Sequence, residues 1–315
     1  MNYIDHNFNY LVETLRNLSR DETFSYIRGA FSTIPEETKE SLANYFHQFN
    51  YWGNLDLEKR DYEELSLRAQ SLHDHIEDFV WLYDHLGDYR SKLLLYAIMN
   101  NWFQYDFETL KKVQDPMHPD YFDVDLISGG KDEVIVDLGA YVGDTIWDYL
   151  LTYGEDSYQK IYCYEITPEV FETLKQNLAK YDRIVFVQKA ASDHGGTMYI
   201  QASAVDASAN VIGKEGTVAV ESVTIDEDIQ EPVTMIKMDI EGAEQAALRG
   251  CKRHIQEDHP TLLLSVYHNH EDIWKIPRMI EEMCPGYQFY LRYHGGNLFP
   301  TEVTLLAIYA KESTL

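Results

Sequence analysis

The segment EVIVDLGAYVGDT, residues 133–145, is the most informative part of the sequence for predicting the fold. An apolar run leads directly into a loop with two glycines, and an amphipathic segment follows. A short buried strand that turns into a helix is the repeating unit of a parallel sheet covered by helices on both faces. Further short apolar runs are KIYCYE (160–165), RIVFVQ (183–188), VTMIKMD (233–239) and TLLLSVY (261–267), and further amphipathic segments cover 168–180, 243–255 and 273–283.

Two more apolar runs close the chain with no helix between them. They are YQFYLRY (287–293) and EVTLLAIY (302–309), and a Gly295-Gly296 turn joins them. Strands connected by a short turn must run antiparallel, whereas parallel neighbours need a long crossover. Together with the five earlier runs, they predict an α/β fold with a seven-stranded sheet whose last strand is reversed.

Residues 1 to about 115 follow a helical pattern, with apolar positions three and four residues apart. Proline at 116 and 119 ends this pattern, which predicts an α-helical N-terminal domain over 1–118 and an α/β domain over 119–315. A heptad seam lies within residues 57–86. We interpret it as an internal helix pair, with a homodimer through the N-terminal helices as the alternative. The seam consists of Tyr62, Leu65, Ala69, Leu72, Ile76, Phe79, Tyr83 and Leu86.

The net charge limits the choice of partner. The chain has 53 Asp and Glu against 26 Lys and Arg, a formal charge of −27. Such a chain repels phosphate backbones and anionic lipids, so we expect no nucleic-acid or membrane partner and favour a small or neutral molecule. Three dispersed cysteines, and no apolar run of the ~20 residues that span a bilayer, lead us to expect a cytoplasmic protein.

The exit of the first strand is the first candidate site, because ligands of open α/β sheets bind at the carboxyl ends of strands. Gly139 and Gly143 permit a tight turn, but their spacing is GxxxG and not the GxGxxG of dinucleotide sites. Asp137 and Asp144 lie on either side of this loop. Two carboxylates repel a pyrophosphate and attract a cation, such as the sulfonium of S-adenosylmethionine.

The next two strands end at further candidates for cofactor binding. Glu165 follows the second strand, where an acidic side chain can accept hydrogen bonds from both hydroxyls of a ribose. The third strand exits into QKAASD (188–193), whose small residues, among them Ala191, leave room for an adenine edge.

The fourth strand ends in KMDIEGAE (237–244). Three acids and a lysine in eight residues are hard to explain as packing, because buried charges are costly unless they are paired or used. We place Asp239 and Glu241 in the cleft. Glu244 we assign to the first turn of the following helix, where a negative charge is favoured.

These motifs carry a family resemblance. EVIVDLGAYVGDT, YCYEITPE, QKAASD, IKMDIEGAE and TEVTLLAIYA together resemble the FkbM-like family of S-adenosylmethionine-dependent methyltransferases, over residues 121–310. The resemblance implies the seven-stranded, Rossmann-like class I methyltransferase sheet. It also implies activity mainly as O-methyltransferases on sugars, polyketides and other secondary metabolites. The helical first 115 residues lie outside the shared core.

The resemblance also assigns cofactor contacts. It implies that the glycine loop and its two flanking acids border the methionine part of S-adenosylmethionine and that the acid after the second strand holds the ribose. One departure concerns the acceptor side, because LSVYHNH (264–270) lacks the acidic residue that many relatives have before the histidine. The predicted cofactor-binding set is Asp137, Gly139, Tyr141, Gly143, Asp144, Thr145, Glu165, Ala191 and Asp239.

Catalytic groups are expected at the acceptor side of the sheet. His268 follows the fifth strand, and an imidazole suits removal of a hydroxyl proton, so we predict it as the base beside Asp239 and Glu241. His270 and His294 are weaker candidates. Magnesium held by the two acids and a histidine is a less favoured alternative, and we predict no metal ligands.

The sequence therefore predicts methyl transfer from S-adenosylmethionine to an oxygen of a small molecule or glycan. Two alternatives remain. An NAD-type oxidoreductase is disfavoured by the missing GxGxxG and by the reversed strand. A non-catalytic cofactor-binding scaffold is disfavoured by the intact acids at three strand ends.

Overall fold

The computed structural model describes residues 2–201, 210–213, 216 and 218–310. The chain forms two compact units, each built from three segments. The first unit contains Met1–Asp115, Val266–Met279 and Gln288–Leu305, and the second contains Pro116–Ser265, Ile280–Tyr287 and Leu306–Leu315. The first break falls three residues before the predicted boundary at 118, and the contiguous domains 1–118 and 119–315 stay a prediction.

The N-terminal segment is helical, as the spacing of its apolar residues predicts. Two of its helices begin with capping boxes, in which Asn2 and Ser19 accept backbone N–H groups and the residues three positions later bond back. The helices are α1 (Tyr3–Arg16), α2 (Arg20–Thr33), α3 (Glu36–Gln48), α4 (Glu63–Asp74), α5 (Ile76–His85), α6 (Tyr89–Gln104) and α7 (Phe107–Lys112), with a short 3₁₀ turn at Asn50–Trp52.

The heptad seam is divided between two helices, because the helical conformation is interrupted at His75, between α4 and α5. Leu65, Leu72 and Phe79 of the seam are fully buried within the first unit. Since a single copy of the chain already covers these residues, a homodimer through the N-terminal helices would need another face. Dimerisation stays a prediction.

The remainder of the chain alternates strands and helices. Its elements are β1 (Val134–Leu138), α8 (Asp144–Tyr153), β2 (Lys160–Tyr164), α9 (Pro168–Leu178), β3 (Ile184–Val187), β4 (Ala190–Ala191), β5 (Gly196–Gln201), β6 (Val211–Gly213), β7 (Val218–Val223), α10 (Ile225–Asp228), β8 (Met235–Met238), α11 (Glu244–Arg249), α12 (Lys252–Glu257), β9 (Thr261–Ser265), α13 (Asp272–Met283), β10 (Tyr287–Tyr293) and β11 (Val303–Tyr309).

Seven of these strands form one mixed sheet in the order β10-β11-β9-β8-β1-β2-β3. The central strand β1 pairs in parallel with β2 and β8, and all five of its residues are buried. Burial on both faces explains its continuous apolar run. The observed order confirms the predicted seven-stranded sheet with a reversed last strand, which lies between the fifth and sixth strands.

One detail differs from the predicted pattern. The helix expected over 243–255 is divided into α11 and α12, because Gly250 and Cys251 interrupt it. A side chain at Gly250 would approach the Ser192 carbonyl oxygen to 2.0 Å.

A second sheet, in the order β4-β7-β5-β6, lies between β3 and β8 in the chain. None of the helices in the described part of the chain has the length and apolarity needed to cross a membrane.

The seam provides a stability test. Phe79→Ala should destabilise the protein by about 3–5 kcal/mol, because it leaves a cavity among fully buried neighbours. Tyr10→Ala is the control, since that ring is 74% exposed, and its effect should stay within about 0.5 kcal/mol. Urea unfolding measures both. A Phe79→Ala protein of unchanged stability but altered oligomeric mass would instead assign the seam to dimerisation.

Candidate active site

The candidate site lies in the second unit, where β1 and β8 end side by side. Gly139 follows β1 with φ +81°, and a side chain there would lie 1.9 Å from the carbonyl oxygen of Asp239. The amide of Asp239 donates to the carbonyl of Leu138 at 3.0 Å. Only glycine allows this approach, so the backbones of the two loops are in direct contact.

The rest of the glycine loop is also held in unusual conformations. Tyr141 has φ +46° and Gly143 has φ +89°, immediately before α8. A side chain at Gly143 would lie 2.9 Å from Leu178 of α9. The side-chain amide of Asn177 donates to the backbone carbonyl of Val142 at 2.8 Å. These contacts fix the loop between β1 and α8.

Glu165 lies at the exit of β2 and is 7% exposed. Its Oε2 accepts the N–H of Tyr141 at 3.1 Å and its Oε1 accepts the N–H of Thr167 at 2.7 Å. Burial raises the pKa of Glu165, and these N–H donors oppose the shift. The side chain of Thr167 and the N–H of Ile166 also interact with this carboxylate, which is therefore a fixed hydrogen-bond acceptor at the exit of β2.

Asp137 is fully buried beneath the loop and is paired with Lys237 of β8, at 3.1 Å. The same ammonium donates to the carbonyl of Gly139 at 2.8 Å. Burial would lower the pKa of Lys237, but the charges of Asp137 and Asp239 raise it, so the lysine stays protonated. Burial raises the pKa of Asp137, and Lys237 opposes that shift.

Three other predicted cofactor residues lie on two different elements, α8 and β4. Asp144 is exposed at the start of α8, and its charge contributes to raising the pKa of Asp137. Thr145 is half-buried on the same helix. Ala191 is buried in β4, where it pairs with Val223 of the second sheet. Binding of the cofactor by these residues stays a prediction.

The loop after β8 carries the two acids predicted for catalysis. Asp239 and Glu241 are both half-buried. Glu241 and Gly242 have φ of +57° and +92°. Glu244 is fully buried, and its Oε1 accepts the N–H of Ile240 at 2.9 Å. The carboxylate of Glu244 therefore fixes this loop, in keeping with its predicted place at the helix start.

Sequence reasoning missed Tyr121. Its hydroxyl donates to Oδ2 of Asp239 at 2.8 Å and lies 3.1 Å from Oγ of Ser265. A contact across 118 residues of sequence leaves no periodic signal, and the tyrosine lies in an irregular segment after Pro119.

His268, the predicted base, belongs to the first unit and is 1% exposed. Within that unit its ring lies 4.3 Å from that of Tyr267 and 6.0 Å from that of Tyr51, measured between centroids. His270, the weaker candidate, is bonded to buried Glu64 at 3.2 Å, and burial lowers its pKa. The base and the magnesium alternative both stay predictions.

Another group of potential ligands lies in the second unit. Nε2 of His118 is 3.5 Å from Asp123 and 3.9 Å from Asp125. Asp125 has a side chain that is 80% exposed, and its N–H donates to Asp123 at 2.9 Å. A local turn and a histidine–carboxylate pair account for this arrangement.

The sheet order, together with the acids and glycines at its strand ends, defines the class I methyltransferase fold. Residues 137–295, just over half of the chain, match the model of the methyltransferase FkbM domain. The chain therefore belongs to the FkbM methyltransferase family. A comparison with curated proteins found no match.

One solved structure of the same family supports this class, and others share parts of the chain at lower similarity. Methyltransferase FkbM from Methylobacillus flagellatus KT is 26% identical with a TM-score of 0.65, and the match covers 76% of this chain and 62% of that one. This chain thus spans less than two thirds of that relative. An rRNA methylase from Streptococcus thermophilus is 9% identical (58% and 90% covered, TM-score 0.39). Aeropyrum pernix fibrillarin, solved with natively bound S-adenosyl-L-methionine, is 15% identical (57% and 67% covered, TM-score 0.36).

The close approach of the two loops can be tested at Gly139. Gly139→Ala should destabilise the protein by at least about 1–3 kcal/mol, because the added carbon collides with the Asp239 carbonyl and the backbone must leave φ +81°. Gly29→Ala is the control, since no atom lies within 4 Å of the added carbon on α2, and it should stabilise slightly. Thermal unfolding compares them. Equal stability of the two variants would contradict the direct contact between the two loops.

Proposed function

We propose that this chain transfers a methyl group from S-adenosylmethionine to an oxygen of a small molecule or glycan. The single observation that carries the proposal is the position of the Glu165 carboxylate. Its carboxylate is buried at the exit of β2 and held by backbone N–H groups of the glycine loop and of the segment before α9. Such a fixed acceptor suits the two hydroxyls of a ribose, which supports a nucleoside cofactor.

The charges near the loop favour a cationic cofactor. The carboxylates of Asp137, Asp144 and Asp239 all act on Lys237. One ammonium group does not neutralise three carboxylates, so the surroundings favour positive charge and disfavour a pyrophosphate. This imbalance supports S-adenosylmethionine over the dinucleotide of an NAD-type oxidoreductase.

The residues of the chain would act mainly by binding and orientation. Bound S-adenosylmethionine supplies an electrophilic methyl group on a sulfonium. Glu165 would hold the ribose, and the loop around Gly139 would border the methionine part. Asp137 is fully buried, so it would act indirectly, by holding Lys237 and through it the carbonyl of Gly139. Alignment of the donor with the acceptor would provide most of the rate.

The ribose contact can be measured without knowing the acceptor. Glu165→Ala should weaken S-adenosylmethionine binding by about 1.5–3 kcal/mol, the cost of losing hydrogen bonds to a charged acceptor. Glu169→Ala, on the exposed side of α9, is the control and should bind normally. Calorimetric titration gives both dissociation constants. If Glu165→Ala binds as tightly as the wild type, the ribose assignment is wrong.

The chemistry at the acceptor is tested by replacing His268. If His268 is the base, His268→Ala should lower the rate by roughly 10²- to 10⁴-fold with cofactor affinity retained. His6→Ala, an exposed histidine of α1, should keep full activity. The assay is methyl transfer to a panel of hydroxylated acceptors.

The magnesium alternative predicts a different result in the same assay. A chelator should abolish turnover and magnesium should restore it, and loss of Asp239 or Glu241 should cost more than loss of His268. If turnover resists the chelator and His268→Ala keeps the wild-type rate, both the histidine base and the magnesium alternative are excluded. Binding of S-adenosylmethionine without turnover on any acceptor would favour the scaffold alternative.

A further inference from the structure

Tyr121 occupies a backbone conformation that a large side chain adopts only under constraint. Its φ is +69°, in the left-handed region that favours glycine, and its side chain is 8% exposed. Bulky residues persist in this region where the surrounding structure holds them, and such positions cluster at functional sites.

The hydroxyl of Tyr121 connects two strand ends of the second unit. It donates to Oδ2 of Asp239, directly after β8, at 2.8 Å, and lies 3.1 Å from Oγ of Ser265, the last residue of β9. A hydrogen bond between a hydroxyl and a carboxylate is stronger than one between neutral groups. This bond therefore restricts the rotation of the Asp239 side chain.

The ring of Tyr121 also covers the buried charges beneath the loop. The ammonium of Lys237 lies 5.3 Å from the ring centroid, a cation–π distance. The same ammonium is paired with Asp137 and attracted by Asp239. One side chain thus contacts both the lysine that supports the glycine loop and the acid that follows β8.

We propose that Tyr121 is a positioning residue, which holds the carboxylate of Asp239 in the orientation that binds S-adenosylmethionine. This inference rests on the proposed function. The hydroxyl does not need to touch the cofactor or the acceptor. It acts through Asp239, by restricting the rotamers of the carboxylate that it bonds at the end of β8.

The experiment is a double-mutant cycle on the full chain, read by calorimetric titration with S-adenosylmethionine. Tyr121→Phe keeps the ring over Lys237 and removes only the hydroxyl. It should weaken binding about five- to tenfold in the wild-type background and less than about twofold in Asp239→Asn, because the effect passes through that carboxylate. Tyr162→Phe is the matched control, since its hydroxyl donates to a different carboxylate, Glu231, at 2.5 Å. That variant should bind as the wild type does.

A second measurement covers the case in which Tyr121→Phe fails to fold. 3-Fluorotyrosine placed at residue 121 retains the ring and the hydroxyl, and its ¹⁹F resonance reports the environment of that hydroxyl. Replacing Asp239 with Asn should shift this resonance, whereas replacing Glu231 with Gln should not.

The outcomes are separable. The positioning role is overturned if Tyr121→Phe binds S-adenosylmethionine normally, or if Tyr121→Phe weakens binding equally in the wild-type and Asp239→Asn backgrounds. It is also overturned if the ¹⁹F resonance does not shift in Asp239→Asn. Absence of S-adenosylmethionine binding by the wild type would instead overturn the proposed function itself.

Discussion

The buried pair of Asp137 and Lys237 is the interaction on which the candidate site depends. Two charges removed from water are costly unless each finds good partners. Here the ammonium contacts a carboxylate at 3.1 Å and the carbonyl of Gly139 at 2.8 Å, so the end of β1, the loop after it and β8 are connected at one point. Removal of either partner would leave an uncompensated charge in the core, beneath the loop that we assign to the cofactor.

The loops above this pair are determined by backbone geometry as much as by side chains. Gly139 must lack a side chain because the carbonyl of Asp239 occupies that space. Glu241 and Gly242 both take positive φ in the loop after β8, and Glu244 bonds back to the amide of Ile240. Strained backbone of this kind is usual where a loop must present polar groups in a fixed arrangement. These contacts therefore fix the backbone that carries Asp239 and Glu241.

The architecture was predictable because it follows from periodicity. Buried parallel strands such as β1 read as unbroken apolar runs, and the absence of a helix before β11 implied its reversed direction. The strand-end acids were found in the same way. Tyr121 was not found, because its contact with Asp239 joins distant segments and involves no repeat. The break of the seam at His75 was also missed, since the heptad pattern continues through it although the helix does not.

The first unit is assembled from distant segments of the chain, which affects the order in which it can fold during synthesis. Its core contains a buried ion pair of Glu64 with Arg68, and His270, which bonds to Glu64, is 206 residues farther along. At about 5–20 residues per second, a ribosome needs roughly 10–40 s to cover that separation. During this interval the N-terminal helices exist without the segments that complete their core. The first unit therefore cannot complete its core until the segment that carries His270 has been synthesised.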